Sequence, residues 1–163
     1  MNDLIDVIAL GVGATWFMDA WGLVRKPLLG VAPPNYGLVG RWLGHLVQGR
    51  FCHEAIAASA PVRGERFIGW SAHYLIGIAF AAVLLALWGA DWLKQPSLGP
   101  ALAVGLAAVA APFFIMQPGM GLGIAASRAP KPASARLHSL ITHAIFGLGL
   151  YLSGLIMQGM ASL

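Results

Sequence analysis

The chain has 163 residues, 58% of them hydrophobic and only 10% charged, with a mean hydropathy of +0.75. A soluble globular domain carries roughly a quarter charged residues, so an ordinary soluble domain is excluded and a membrane protein is indicated. The net charge of +4 and pI near 9.7 would suggest a nucleic-acid partner in a soluble protein; here the basic residues sit almost wholly in two connecting loops, the pattern of loops facing the cytoplasm, and no nucleic acid is expected.

The first apolar run, Leu4 to Val24, is long enough to cross a bilayer core. It begins MNDLID and meets its basic flank, Arg25 and Lys26, only at the far end, so it reads as a retained helix rather than a signal peptide. A loop from Arg25 to Arg66 follows, with six of the ten basic residues; Pro27, Pro33 and Pro34 argue against a continuous helix at its start. Within it Leu38, Val39, Trp42, Leu43, Leu46 and Val47 recur at helical spacing, with Arg41, His45, Gln48 and Arg50 on the other side. This predicts a short amphipathic helix. It either lies in the headgroup plane, with Arg41, Trp42 and Arg50 at the lipid interface, or packs against the membrane helices.

A second span runs from Phe67 to about Trp88, and a short link with Asp91, Trp92, Lys94 and Pro96 leads to a third, Leu98 to Met116, as an antiparallel neighbour. Pro112 should kink this third helix and Pro118 end or bend it. A second basic loop, 117–136, carries Arg128, Lys131 and Arg136 before the fourth span, Leu137 to about Met160. The expected architecture is a single all-α membrane domain of four spans, with cytoplasmic loops 25–66 and 117–136 and both termini periplasmic. Trp42, Trp70, Trp88 and Trp92 fall near predicted interfaces, as aromatic belts do. Cys52, the only cysteine, excludes an intramolecular disulfide.

The second and fourth spans are built to one plan. Arg66, His73, Gly77 and Gly89 recur at the spacing of Arg136, His143, Gly147 and Gly159, which reads as an internal repeat. Each unit returns the chain to the same side, so the repeat is parallel: two helical hairpins around an axis along the membrane normal. The first helices match through Phe17-Met18-Asp19 and Ile115-Met116-Gln117. Asp19, His73, Gln117 and His143 then lie at one depth, near the cytoplasmic boundary, one on each span. Small residues one turn away share their stripes: Gly11 and Thr15 with Asp19, Gly69, Gly77 and Ala81 with His73, and Ser139, Gly147 and Tyr151 with His143.

An ionisable side chain in a membrane span is costly against lipid, so these four should point inward. Several chemistries fit them. His73, His143 and Asp19 suit a transition metal, with Gln117 as a weak ligand or a partner to a histidine. His73 and His143 could be the axial ligands of a b-type haem. Asp19 and the histidines could carry protons or bind a small solute in a transporter, which at this size calls for a homo-oligomer. Against these stands simple interhelical hydrogen bonding that fixes the packing. The trio Cys52-His53-Glu54 and His45 read as solvated polar surface, His138 as an interfacial residue and GMGLGIAAS as a glycine-rich turn without the Lys-Ser or Lys-Thr of a phosphate loop. No arrangement of Ser, His and acid marks a catalytic site.

The segments GVGATWFMDAWGL, NYGLVGRWLGH, GERFIGWSAHYLIGIAFAAVLLALWG, APFFIMQPGMGLGIAASRAPKPASARL and THAIFGLGLYL resemble a family of small bacterial four-helix membrane proteins, catalogued only as a domain of unknown function. The resemblance covers nearly the whole chain. It implies a bacterial inner-membrane location and a multipass fold, and brings no activity, substrate or cofactor with it.

Overall fold

The structure is a computed structural model and describes residues 3–162. Among the described residues all regular structure is helical: α1 (Asp3–Leu29), α2 (Tyr36–Leu46), α3 (Glu65–Trp88), α4 (Leu98–Gly119) and α5 (Pro132–Ala161), with 3₁₀ turns at Ile56–Ala58, Ala90–Lys94 and Ile124–Ala126. Four of these helices are long and apolar enough to cross a membrane: α1 from Leu4, α3, α4 and α5. Each contains one of the apolar runs read in the sequence and extends beyond it. Large apolar side chains remain exposed along them, Leu23, Leu75, Leu87, Ile115 and Ile156 among them, as a lipid-facing surface requires.

The helices overrun the expected boundaries at prolines. Pro27 lies inside α1, which continues to Leu29. Proline costs least near a helix end, where few backbone bonds remain to be lost, and the turn after it is held by a bond from Arg25 Nη2 to the Ala32 carbonyl (2.9 Å). Pro132 opens α5, where its missing N–H is no loss. Pro112 does not make a simple kink. The segment Pro112–Met116 widens into a π turn, in which the Gln117 N–H reaches back to the Pro112 carbonyl.

The chain divides into two compact units. The first comprises Met1–Pro33, Tyr74–Ala108 and Ile141–Leu163. Its core draws on four helical segments: Leu10 and Ala14 of α1, Ala81 and Leu84 of α3, Ala101 and Val104 of α4, and Phe146 and Leu150 of α5, closed at one end by Trp92 and Leu93 of the link. Glycine decides where these helices cross. A Cβ on Gly11 would run into the backbone of Ile78, and one on Gly105 into the backbone of Gly147. Trp92, expected at an interface, is instead buried, its ring lying over Gly154, because only a glycine leaves room there for an indole.

The second unit comprises Pro34–His73 and Val109–Leu140. The amphipathic helix forms as α2, capped by the Asn35 side chain, which accepts from the Gly37 N–H at 3.0 Å. It packs against the start of α3: Gly40 lies on the Glu65 carbonyl and Gly69 on the Tyr36 carbonyl, too close on both sides for any Cβ. Trp42, expected either at the lipid interface or packed against the helices, lies in the core of this unit. It is 8% exposed, packs with Ile56 and Met120, and donates from Nε1 to the Phe51 carbonyl at 3.0 Å. An indole lies with its edge on Gly119 here, and its single donor finds a carbonyl. Arg41 likewise turns to protein. Its Nε and Nη2 bind the two oxygens of Glu65 at 2.8 and 2.9 Å, and Nη1 donates to the Ala57 and Ser59 carbonyls. The hydrogen bond to Glu65 raises the Arg41 pKa above its ordinary value. Arg50 remains exposed.

Candidate functional site

In the first unit the polar groups are strung along α1. Thr15 is buried and bonded to the Gly11 carbonyl (2.7 Å). One turn on, Asp19 accepts a hydrogen bond from the Tyr74 hydroxyl of α3 at 3.0 Å. Six residues further, Arg25 is 5% exposed, and its Nη1 donates to the Thr142 hydroxyl of α5 at 3.0 Å. His143 follows Thr142 directly and is half-buried. Asp19, Tyr74, Arg25 and Thr142 thus tie α1 to α3 and to α5 through charge-assisted hydrogen bonds, the strong kind.

Three of these residues carry no signal in the sequence. Arg25 reads as a basic flank of the first span, yet α1 runs past it and buries it. Tyr74 and Thr142 each adjoin a histidine, His73 and His143, whose ionisable, metal-ligating ring is the stronger signal in a sequence. Which of two neighbours on a helix faces a partner is set by the crossing, and the crossing is not a local property.

Of the four residues expected at one depth, Asp19 and His143 belong to the first unit and His73 and Gln117 to the second. His73 stacks on Tyr36, with ring centroids 4.1 Å apart and planes inclined by 23°, and meets the edge of Trp70 at 5.9 Å. One face of its ring is therefore used in aromatic packing. Gln117 is 7% exposed, and its Oε1 accepts no hydrogen bond. It comes immediately after the π turn, a feature that is frequent at functional sites.

Around the Ile56–Ala58 turn of the second unit, His45 and His53 face each other, Nδ1 to Nε2, at 2.9 Å. The sequence places both on a solvated surface, but His45 is only 3% exposed and His53 is half-buried. His53 lines an open cavity of about 550 Å³ with Arg50, Cys52, Glu54 and Ser59. Cys52 is a free, exposed thiol. Among the described residues no three His, Cys, Asp or Glu side chains are grouped as a metal ion would need.

The fold defines a class, an all-helical protein with four helices of membrane-spanning length and apolarity. Within it, the chain belongs to DUF2938, a family described as a protein of unknown function, whose model matches residues 8–157. No match to the chain was found among curated proteins or among solved structures.

Proposed function

We propose that this is a multipass protein of the bacterial inner membrane, with its basic loops cytoplasmic and its termini periplasmic, and that it binds a small polar solute in the cytoplasmic half of the bilayer. The site is Asp19, Arg25, Tyr74 and Thr142, with His143 beside it. The carrying observation is Arg25, a guanidinium 5% exposed within a helix apolar enough to span. Such a residue is expensive in a membrane and marks a site by default. Among its hydrogen bonds are those to the Thr142 hydroxyl and the Ala32 carbonyl. A guanidinium is matched best by a carboxylate or phosphate, so the solute proposed carries an anionic group. A guanidinium about 9 Å along the helix from Asp19 disfavours a metal dication there, which moves the reading away from a metal at Asp19.

The architecture proposed is a four-helix bundle of two parallel-repeat hairpins. Support comes from the paired glycine crossings, Gly11 on α3 and Gly105 on α5. Those crossings match the two hairpins one helical turn out of register from the pairing of Asp19 with Gln117. A second reading, a structural protein whose polar residues only hold the helices together, is favoured by the same bonds, since they bridge α1 to α3 and α5. In a third, Asp19 and His143 carry protons in a small transporter.

The test is a thermal-shift and binding screen of carboxylates and phosphate esters on the purified protein in lipid nanodiscs, with Arg25→Lys and Thr142→Val alongside. Saturable binding lost in Arg25→Lys, with the unfolding midpoint kept, supports the solute site. A panel without a ligand, and variants that are only less stable, leaves the packing reading. An absorption spectrum and metal analysis of wild type, His73→Ala and His143→Ala tests the cofactor readings: a Soret band or bound metal would revive them.

A further inference from the structure

At the start of α1, well away from Arg25, Asp6 is only 8% exposed. Among the described residues none donates a hydrogen bond to its carboxylate or pairs with it. It lines a groove of about 350 Å³ in the first unit, whose other walls are Ala9, one turn further along α1, and Met157, Met160 and Ala161 near the end of α5. The two alanines leave the space open, and the two thioethers are polarizable and adaptable walls. A largely buried carboxylate whose oxygens keep some accessible surface in an otherwise apolar groove, with neither a counter-charge nor a hydrogen-bond donor among the described residues, is costly unless something supplies them.

We propose that this groove binds a small organic ammonium ion with an apolar body. The N–H groups of a primary or secondary ammonium supply the missing charge and the missing donors at Asp6 together. A quaternary ammonium supplies only the first. The apolar body lies against Ala9, Met157, Met160 and Ala161, and the volume is at the lower end of the range of small-molecule pockets. Asp6 and Asp19 are about 20 Å apart along α1, so this site is separate from the anion-binding cluster and stands or falls without it.

The probe is phenethylammonium, with the neutral 2-phenylethanol as control, titrated onto the full chain in phosphatidylcholine nanodiscs. Saturable binding by wild type is expected, weakened about tenfold or more in Asp6→Asn, as for the loss of a charge-assisted hydrogen bond. Ala9→Trp, which fills the groove and keeps the carboxylate, should block binding as well, so the test does not depend on how well Asp6→Asn folds. Absence of saturable binding by wild type, equal binding by Asp6→Asn, or equally tight binding of 2-phenylethanol each overturns the proposal. Competition by added phosphatidylethanolamine also overturns it, because the occupant would then be the ammonium of a lipid headgroup.

Discussion

Nδ1 of His45 and Nε2 of His53 stand 2.9 Å apart, and the bonds on the far side of each ring decide which of them holds the proton. His45 Nε2 is 3.0 Å from the Ala60 carbonyl, which can only accept, so Nε2 carries the hydrogen and Nδ1 presents its lone pair. The bridging proton therefore belongs to His53 Nε2. A neutral His53 ring has one hydrogen to place, and the 2.9 Å contact to His45 is shorter than the 3.3 Å contact from Nδ1 to the Gly119 carbonyl, which also accepts from the His53 backbone N–H at 3.0 Å.

His53→Ala should consequently leave His45 Nδ1 buried without a donor, at a cost of about 1–3 kcal/mol, seen as a lower unfolding midpoint in detergent. His53→Gln, whose amide nitrogen can occupy the place of Nε2, should recover part of the loss. An unchanged midpoint for His53→Ala would show that this proton is not held as assigned.

Gly77 and Thr15 make a sharper test of the helix crossing. A Cβ on Gly77 would collide with the Thr15 hydroxyl, while its next nearest neighbours, the Gly11 carbonyl and Thr15 Cβ, stand at 3.4 Å. Thr15 is 1% exposed, and its hydroxyl is fixed by the bond to Gly11. Gly77→Ala alone should destabilise by about 1–3 kcal/mol through overpacking. In the Thr15→Ala background the same change should cost little, a coupling readable in a double-mutant cycle. Additive losses would mean that the helices do not cross where Gly77 places them.

Arg41 and Glu65 meet side by side, two nitrogens on two oxygens, while the third arm of the guanidinium reaches the carbonyls of Ala57 and Ser59. A lysine offers one charged point and cannot make both sets of bonds. Arg41→Lys should therefore lower the unfolding midpoint nearly as much as Arg41→Ala does, although it conserves the charge. A lysine variant as stable as wild type would reduce this pair to simple charge attraction.

The long helices were legible because each is a continuous apolar run of membrane-spanning length, and length alone separates such a run from a soluble helix. The glycine stripes were legible for the same kind of reason: Gly11 and Gly77 do lie at a close approach, and so does Gly147. The burial of Arg25 and Trp42 was not. A basic residue at the end of an apolar run and a tryptophan beside an arginine are what a membrane boundary looks like. Only the partners, Thr142 at 117 residues' separation and the Gly119 surface, turn them inward. His45 reads as polar surface because it falls on the polar side of the amphipathic helix, and His53 because it sits in an irregular loop; their pairing exists only once the turn at Ile56–Ala58 folds back over α2.

Gln117 separates stability from function most directly. Its Oε1 is buried without a donor, which costs free energy that an apolar side chain of similar size would not. Gln117→Leu or Gln117→Met should hold or raise the unfolding midpoint, by up to about 1–3 kcal/mol, and Gln117→Glu should lower it by placing a carboxylate in the same space. The π turn before it supplies the second half of the argument. Pro112 leaves a carbonyl of the preceding turn without its usual donor and widens the helix, and the chain regains α geometry at Gln117. Relieving that with Pro112→Ala should let the turn tighten, rotate Gln117 about the helix axis and alter its exposure to amide-proton exchange. If Gln117→Leu is instead strongly destabilising, the amide makes a stabilising contact in the membrane that outweighs its unpaired oxygen, and the residue belongs to the packing of the second unit rather than to a site.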